Sequence, residues 1–561
     1  MGRRILSILN IKTEGIHQAA YLLGFFAIVS QLLGLVRDRI LAGLFGAGVI
    51  LDTYYASFRI PDVIFALVAS SVSVSVLIPF FSKYIDKDEG LEEAKRFAGE
   101  IFSVFSFIIT IVSVLAFVFM DFFVRLSFPG FTENIIINNI IFLSRIMLLS
   151  PILLGFSNLF STITQLYGKF FVYALSPVLY NIGIIVGALF FYPVFGLSGL
   201  AWGVVLGAVL HFAIQVPTVL SLGFKVKPIF NIDYNRIKEV ILVSLPRTLA
   251  LSTQQITILI LVSVASLVSV GSISVFNLAY NLQSVPLGII GASYSSALFP
   301  ALSRMFGGGE KDKFLENVES SVKHIIFWTI PATILFVVLR AQIVRVAYGA
   351  GEFGWDATRL TAALLALFVV SSVAQSLVVM FVRSYYASGN TKKPLFINIL
   401  SFTSIIILAL FLNVIYQKFD FVAYFLEALL KVSNIRGTGV LILPIAYSIG
   451  SFINLVLFWQ AFQLDFGEFR KDIYKSIFHI LSSSVVAGFV TYQFLDVFDE
   501  VFNINTLVGI FSQGFFSGIL GIIFGIFVLK ILGNVELEEI WRALHHKFWK
   551  TPVIIPEQGE L

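Results

Sequence analysis

The chain of 561 residues contains no cysteine, which excludes disulfides, thiolate metal sites and cysteine nucleophiles. Charge is scarce. Asp, Glu, Lys and Arg make up 13% of the residues, about half the ~25% of a soluble domain. The six histidines are dispersed, and the adjacent His545 and His546 have no companion ligands at metal-binding spacing. Carboxylates are missing where a cation-coupled carrier needs them. From residue 240 to 533 no Asp or Glu falls inside a predicted span, and Glu310, Glu352, Asp356 and Asp465 are assigned to connections. Nucleotide hydrolysis also has no motif. GGGEKDK at 307–313 lacks the G-x-x-x-x-G-K-[ST] spacing and follows a helical pattern, so it is read as a helix stop and loop. The expectation is therefore a protein that is not an enzyme and uses no metal or other cofactor.

What the sequence does have is apolar bulk. Hydrophobic residues form 58% of the chain, with 59 phenylalanines. The apolar runs are long and unbroken, whereas a membrane barrel shows short alternating segments, so the fold class is an all-α integral membrane protein. A spanning helix needs about 20 apolar residues. Fourteen segments qualify, near 18–48, 54–82, 97–122, 135–164, 170–192, 197–222, 237–266, 271–303, 324–346, 358–386, 394–414, 437–464, 473–495 and 505–533. With the N-terminus placed inside, 26 of the 38 Lys and Arg fall in inside connections, 7 in outside ones and 5 within segments. That bias predicts both termini in the cytoplasm. The N-terminus, with Arg3, Arg4 and Lys12 before a polar stretch, does not have the form of a cleavable signal. The net charge of +5 is scattered among hydrophobic segments and gives no reason to expect nucleic acid as a partner.

Segments 2 and 8 repeat one another. LDTYYASFRIPDVIFALVASSVSVSVLIPFFSKY and VFNLAYNLQSVPLGIIGASYSSALFPALSRMF each place an aromatic and Ala before a first Pro (Pro61, Pro286). Each continues through a Ser-rich, small-residue stretch to a second Pro (Pro79, Pro300) and a final Ser-Lys or Ser-Arg. Six segments separate the copies, which predicts two parallel six-helix lobes, 16–222 and 236–465. Helices 13 and 14 (466–533) are an appended pair, and 534–561 forms a cytoplasmic interfacial helix and tail. Within that tail Leu537, Ile540, Trp541, Leu544 and Phe548 lie at helical spacing. Residues 416–436 form an amphipathic insertion on the outside.

A charge within the bilayer costs about 2.5–3.5 kcal/mol on insertion scales, so each one is a functional candidate. Arg37, Asp38 and Arg39 lie in the first segment, and Asp52, Arg59 and Asp62 follow at the start of the second. Ser30, Gly34 and Arg37 share one helix face. Arginine suits phosphate because its planar fork pairs two oxygens. Arg247 opens segment 7 just after a proline and serves either as a cytoplasmic anchor or as a cavity cation. Arg145 is read as a structural residue that reaches the interface. The predicted substrate-binding set is Arg37, Asp38, Asp52, Arg59, Arg247 and Arg39.

VSQLLGLVRDRILAGLFGAGVILDTYYASFRIP at 29–61 resembles the first-helix signature of the lipid II flippase family, MurJ or MviN, of the multidrug/oligosaccharidyl-lipid/polysaccharide exporter superfamily. SRIMLLSPILL, YGKF, SPVLYN and LAWGVVLGAVL with Gln215 and Pro217 resemble later segments of that family, as do VPLGIIGASYSSALFPALSR and RSYYASGNTKKP. The likeness covers roughly 16–465. It implies two lobes around a cationic cavity, alternating access, and translocation of an undecaprenyl-diphosphate-linked peptidoglycan precursor, with the last two segments grooved for the lipid tail. Implied partners are that lipid-linked precursor, membrane lipids and cell-wall synthesis enzymes, for a monomer in the cytoplasmic membrane. Arg37, Asp38 and Asp52 match the family pattern. Gln31, Phe65, Ala66 and Asn281 stand where the family tends to have arginine, so Arg247, Arg59 and Arg39 are expected to supply the missing charge. The other readings are a flippase for a different polyprenyl-linked glycan, a cation-coupled multidrug efflux carrier leaning on Asp38, and a non-transporting scaffold for wall-synthesis enzymes.

Overall fold

A computed structural model describes residues 16–69, 77, 80–81, 90–224, 229, 231–470 and 472–549. Among them the chain is mostly helical and has no strand. The helices are α1 (Ile16–Phe45), α2 (Val49–Leu67), α3 (Gly90–Val118), α4 (Met120–Ser127), α5 (Asn134–Met147), α6 (Leu149–Leu166), α7 (Phe170–Val186), α8 (Leu197–Ala213), α9 (Val216–Ser221), α10 (Tyr234–Ser266) and α11 (Ser272–Pro286). Then follow α12 (Ser293–Gly307), α13 (Lys311–Val338), α14 (Arg340–Tyr348), α15 (Trp355–Val369), α16 (Ser371–Ala387), α17 (Lys392–Lys418), α18 (Asp420–Leu430), α19 (Ile442–Phe466), α20 (Asp472–Asp499), α21 (Leu507–Ile531) and α22 (Val535–Trp549).

Among the described residues, twelve stretches are long and apolar enough to cross a membrane, and the α15–α16 pair makes a thirteenth. These correspond to thirteen of the fourteen expected segments. The remaining one, 54–82, begins in α2, but its Ser-rich second half, including Pro79, lies outside the described residues. The protein is thus a multi-pass membrane protein.

Several boundaries differ from the sequence expectation. Segment 9, expected at 324–346, is instead α13, which starts at Lys311 and ends at Val338. Its polar first turns stay helical because Phe314, Val318 and Val322 recur at four-residue spacing and are all buried. Segment 10 is interrupted at Val370, and segment 4 at Leu148, three residues before Pro151. Asp465, assigned to a connection, instead sits in the last turn of α19, where Tyr385 Oη donates to its carboxylate at 2.8 Å. The stop at Gly307–Glu310 and the helix from Val535 appear as expected.

The chain forms two compact units. The first comprises residues 1–282, 347–368 and 390–454. In it α1 packs along α7, α7 along α8, α2 against α5 and α10, and α10 against α17. Glycine permits the α7–α8 approach. A Cβ added at Gly203 would stand 2.4 Å from Gly187 Cα, and one at Gly183 2.3 Å from Gly207 Cα. Spaced four apart, these residues form a small-xxx-small contact that brings two backbones together. Gln215 ties the neighbouring helices: its amide nitrogen donates to Ser157 (2.6 Å) and Ser176 (3.1 Å), and its oxygen accepts from Ser161 (3.0 Å).

The second unit comprises 283–346, 369–389 and 455–561. There α20 packs along α21 and α13. Phe306, Phe314, Phe381, Tyr385, Phe462, Phe466 and Phe469 form one aromatic cluster between α12, α13, α16 and the end of α19. Large apolar side chains such as Phe107, Phe190, Phe489 and Phe527 face outward, as acyl chains require of a spanning helix.

Candidate functional site

A cavity of about 250 Å³ opens in the first unit among α1, α2, α7, α10 and α11. Arg37 and Leu41 line it from α1, and Tyr54, Tyr55, Phe58, Arg59 and Asp62 from α2. Gln254 and Gln255 of α10, with Asn277, Tyr280 and Asn281 of α11, complete its polar wall.

Arg37 is held in place. Its Nε and Nη2 lie 2.9 and 2.7 Å from Asp38 Oδ1, and its Nη1 donates to Asn181 Oδ1 at 3.0 Å. Asn181 Nδ2 in turn donates to the Ser30 carbonyl and hydroxyl oxygens, both at 3.3 Å. The Ser30–Arg37 face read from the sequence therefore exists, and its link is an asparagine from α7. The second oxygen of buried Asp38 accepts from Asn281 Nδ2 at 2.8 Å. Asn281, one of the positions expected to lack a cation, thus makes a neutral amide contact to this carboxylate.

Arg59 is placed differently. Its Nη2 donates to Asn277 Oδ1, while its Nε is buried with no hydrogen-bond partner among the described residues. Asn277 is oriented by donating to the Ile273 carbonyl at 2.7 Å. Tyr55 Oη is likewise buried without a partner there. Arg59 thus keeps a donor unused, whereas the fork of Arg37 is already engaged.

Asp52 faces elsewhere. Its carboxylate accepts from the backbone N–H of Gly271 (2.6 Å) and Ser274 (2.8 Å) and from the Ser274 hydroxyl (2.5 Å). It caps the N-terminus of α11 from another helix, satisfying orphan donors and opposing the helix dipole. Gly271 has φ +88°, and a Cβ there would meet the Ala47 carbonyl at 2.5 Å, so only glycine fits this turn. Arg39 is not among the cavity-lining residues. Arg247 lies within α10, but its side chain is outside the described part. Arg145 donates to the Phe117 carbonyl at 3.1 Å and stacks on that ring, as a structural residue does.

Of the six expected residues, Arg37, Asp38 and Arg59 converge, and Asp62 joins them. Asn181, Gln254, Gln255, Asn277 and the three tyrosines were missed. For part of them a signal was available as amides inside an apolar run, Gln254 and Gln255 in STQQITI of α10 and Asn277 in FNLAYN of α11. Arg37 and Asp38, like Arg59 and Asp62, are one cation and one anion. The formal charge of these four groups sums to zero, and the other polar groups are amides and phenols.

The sequence model of one family, described as lipid II flippase MurJ, matches residues 41–512. The "Probable lipid II flippase MurJ" of Buchnera aphidicola subsp. Acyrthosiphon pisum is 25% identical over 512 residues, covering 90% of this chain and 95% of that one. The protein of the same name in Thermotoga maritima is 26% identical over 541 residues, covering 94% and 98%. Among solved structures, a lipid II flippase MurJ in an inward closed conformation superposes with a TM-score of 0.72 at 22% identity, covering 93% of this chain and all of that one. An inward-facing multidrug resistance MATE transporter of the MOP superfamily gives 0.60 at 18% identity, covering 78% and 95%. The chain belongs to the lipid II flippase MurJ family.

Proposed function

We propose that the protein translocates an undecaprenyl-diphosphate-linked peptidoglycan precursor, lipid II, across the cytoplasmic membrane by alternating access. The supporting observation is the cavity in which Arg37 and Arg59 stand among amides and tyrosines. In a low-dielectric site a diphosphate needs opposite charge and directed N–H donors. Arg59, with its unused Nε, is the first contact. Arg37 becomes available when phosphate oxygens replace Asp38 and Asn181 around its fork. The amides and phenols supply neutral hydrogen bonds for sugar and peptide groups. Arg247, about two turns before Gln254 on the same helix, adds a further cation. An efflux carrier coupled through Asp38 fits less well, because Arg37 and Asn281 occupy both of its oxygens.

In this reading both termini are cytoplasmic, and the sequence repeat divides the spans into lobes at 16–222 and 236–465. α20 and α21 hold the lipid tail. The protein acts as a monomeric carrier, not an enzyme, and hands its cargo to cell-wall synthesis enzymes. The test is complementation of a bacterium depleted of its own lipid II flippase. The wild type should restore growth, and Arg37→Ala and Arg59→Ala should not at equal membrane levels. A well-expressed wild type that fails to rescue would remove lipid II as the cargo. Rescue by both variants would remove the two arginines from the mechanism, and unimpaired rescue by Arg247→Ala would remove that residue.

A further inference from the structure

Eleven residues between two spans form α18, a helix with two unlike faces. Successive residues of a helix turn by about 100°. Phe421, Tyr424, Phe425, Ala428 and Leu429 therefore fall in one stripe, with Glu427 and Leu430 opposite. Burial follows the same division. Phe421 is 77% exposed, Tyr424 70% and Leu429 60%, whereas Leu430 is buried. The polar side is fastened down. Glu427 Oε1 accepts from Thr438 Oγ1 at 2.6 Å and from Tyr416 Oη at 3.4 Å, and Tyr416 Oη also bonds Thr438 at 2.8 Å. Arg359 Nε donates to the Lys431 carbonyl at 3.1 Å, where the chain leaves the helix with φ +60°. The outward stripe is thus a fixed presentation of aromatic side chains.

Position indicates what covers it. α17 is a spanning helix whose outward residues, Phe396, Leu400, Ile407, Leu410, Phe411 and Val414, face acyl chains. Only Phe419, itself exposed, separates its last residue, Lys418, from α18. The exposed aromatic stripe therefore follows directly in the chain on the exposed apolar residues with which the span ends. Exposed Lys418 and Lys431 flank it at the two ends. A short helix with aromatic residues on one face and lysines at its edges suits the boundary between headgroups and acyl chains.

We propose that α18 is an interfacial anchor. Its Phe421–Leu429 stripe lies in the leaflet at the C-terminal end of α17, with Lys418 and Lys431 on anionic phospholipid headgroups. On the proposed topology this is the outer leaflet. The inference rests on membrane embedding alone and not on the identity of the cargo.

The absence of cysteine makes the test direct. Tyr424→Cys, and separately Ser433→Cys in the exposed turn beyond the helix, each give one thiol for an environment-sensitive fluorophore on the full chain. The labelled proteins are reconstituted in vesicles of phosphatidylethanolamine and phosphatidylglycerol. Quenching by aqueous iodide is compared with quenching by lipids carrying a spin label near the headgroup. The label at 424 should be quenched by the lipid and be roughly fivefold less accessible to iodide than that at 433, as expected for a face buried 5–10 Å into the boundary. Equal iodide quenching at both positions would overturn the proposal. So would a label at 424 shielded from both quenchers, which would mean a protein surface covers it. Phe425→Cys, on the same stripe, repeats the test should Tyr424→Cys fail to fold.

Discussion

Asp38 and Asp52 are both buried carboxylates on consecutive helices, and they hold different things. Asp38 orients a guanidinium in the cavity, while Asp52 caps a helix outside it. Removing Asp52 leaves two backbone N–H groups and a hydroxyl without their acceptor, at a cost of about 2–3 kcal/mol. Asp52→Ala should therefore lower the unfolding temperature in detergent, while the protein that does insert keeps its transport rate per molecule. A rate that falls with no change in unfolding would instead place Asp52 among the substrate contacts. Asn281→Arg places a cation beside Asp38, whose oxygen already lies 2.8 Å from the native amide. It should sustain growth in the complementation assay as well as the wild type does, and loss of growth would show that the neutral amide is required. At this scale the sequence was legible where a charge interrupted an apolar run, as with Arg37, Asp38 and Arg59. It was opaque where a lone neutral amide did the same, because Asn181 in a helix carries no insertion cost large enough to single it out. It also gave no sign that Asp52 faces α11, since that contact joins residues 219 or more positions apart.

Helices meet most closely where side chains are absent. At the α7–α8 crossing Gly187 and Gly203 are nearly in backbone contact. Gly203→Leu must push the helices apart and should cost about 3 kcal/mol or more, since inserting bulk into a packed contact typically costs 1–3. The expected readout is loss of folded protein on size-exclusion chromatography in detergent. Gly24→Ala is the control. Nothing lies within 4 Å of a Cβ there, and replacing a helical glycine gains up to about 1 kcal/mol. If Gly203→Leu is as stable as Gly24→Ala, the close crossing does not exist in the membrane. Apolar length alone located the spans. It missed the start of α13, where burial of every fourth residue sustains a polar helix, and the breaks at Leu148 and Val370, which fall inside single long apolar segments.

For the whole molecule, the charge bias predicts that the first turn of α13 and the turn after α18 lie on opposite sides of the membrane. Single cysteines at Asp312 and Ser433, both exposed, test this in a chain that has no other thiol. An impermeant reagent added to intact cells should label Ser433→Cys and spare Asp312→Cys, and the reverse pattern would invert the topology. The repeat between segments 2 and 8 was legible as a sequence pattern because its prolines and serines recur in order. The cavity's balanced charge was not, since it depends on which residues of distant segments converge. The most direct measurement of the central claim is lipid II translocation itself. Vesicles holding the purified protein and a labelled lipid II would be challenged with an impermeant enzyme that cleaves the exposed diphosphate. The wild type should render nearly all the label cleavable with time, while Arg59→Ala should leave about half of it protected, as in protein-free vesicles. Equal protection in wild-type and protein-free vesicles would contradict lipid II transport by this chain, and full cleavage with Arg59→Ala would contradict the role given to its guanidinium.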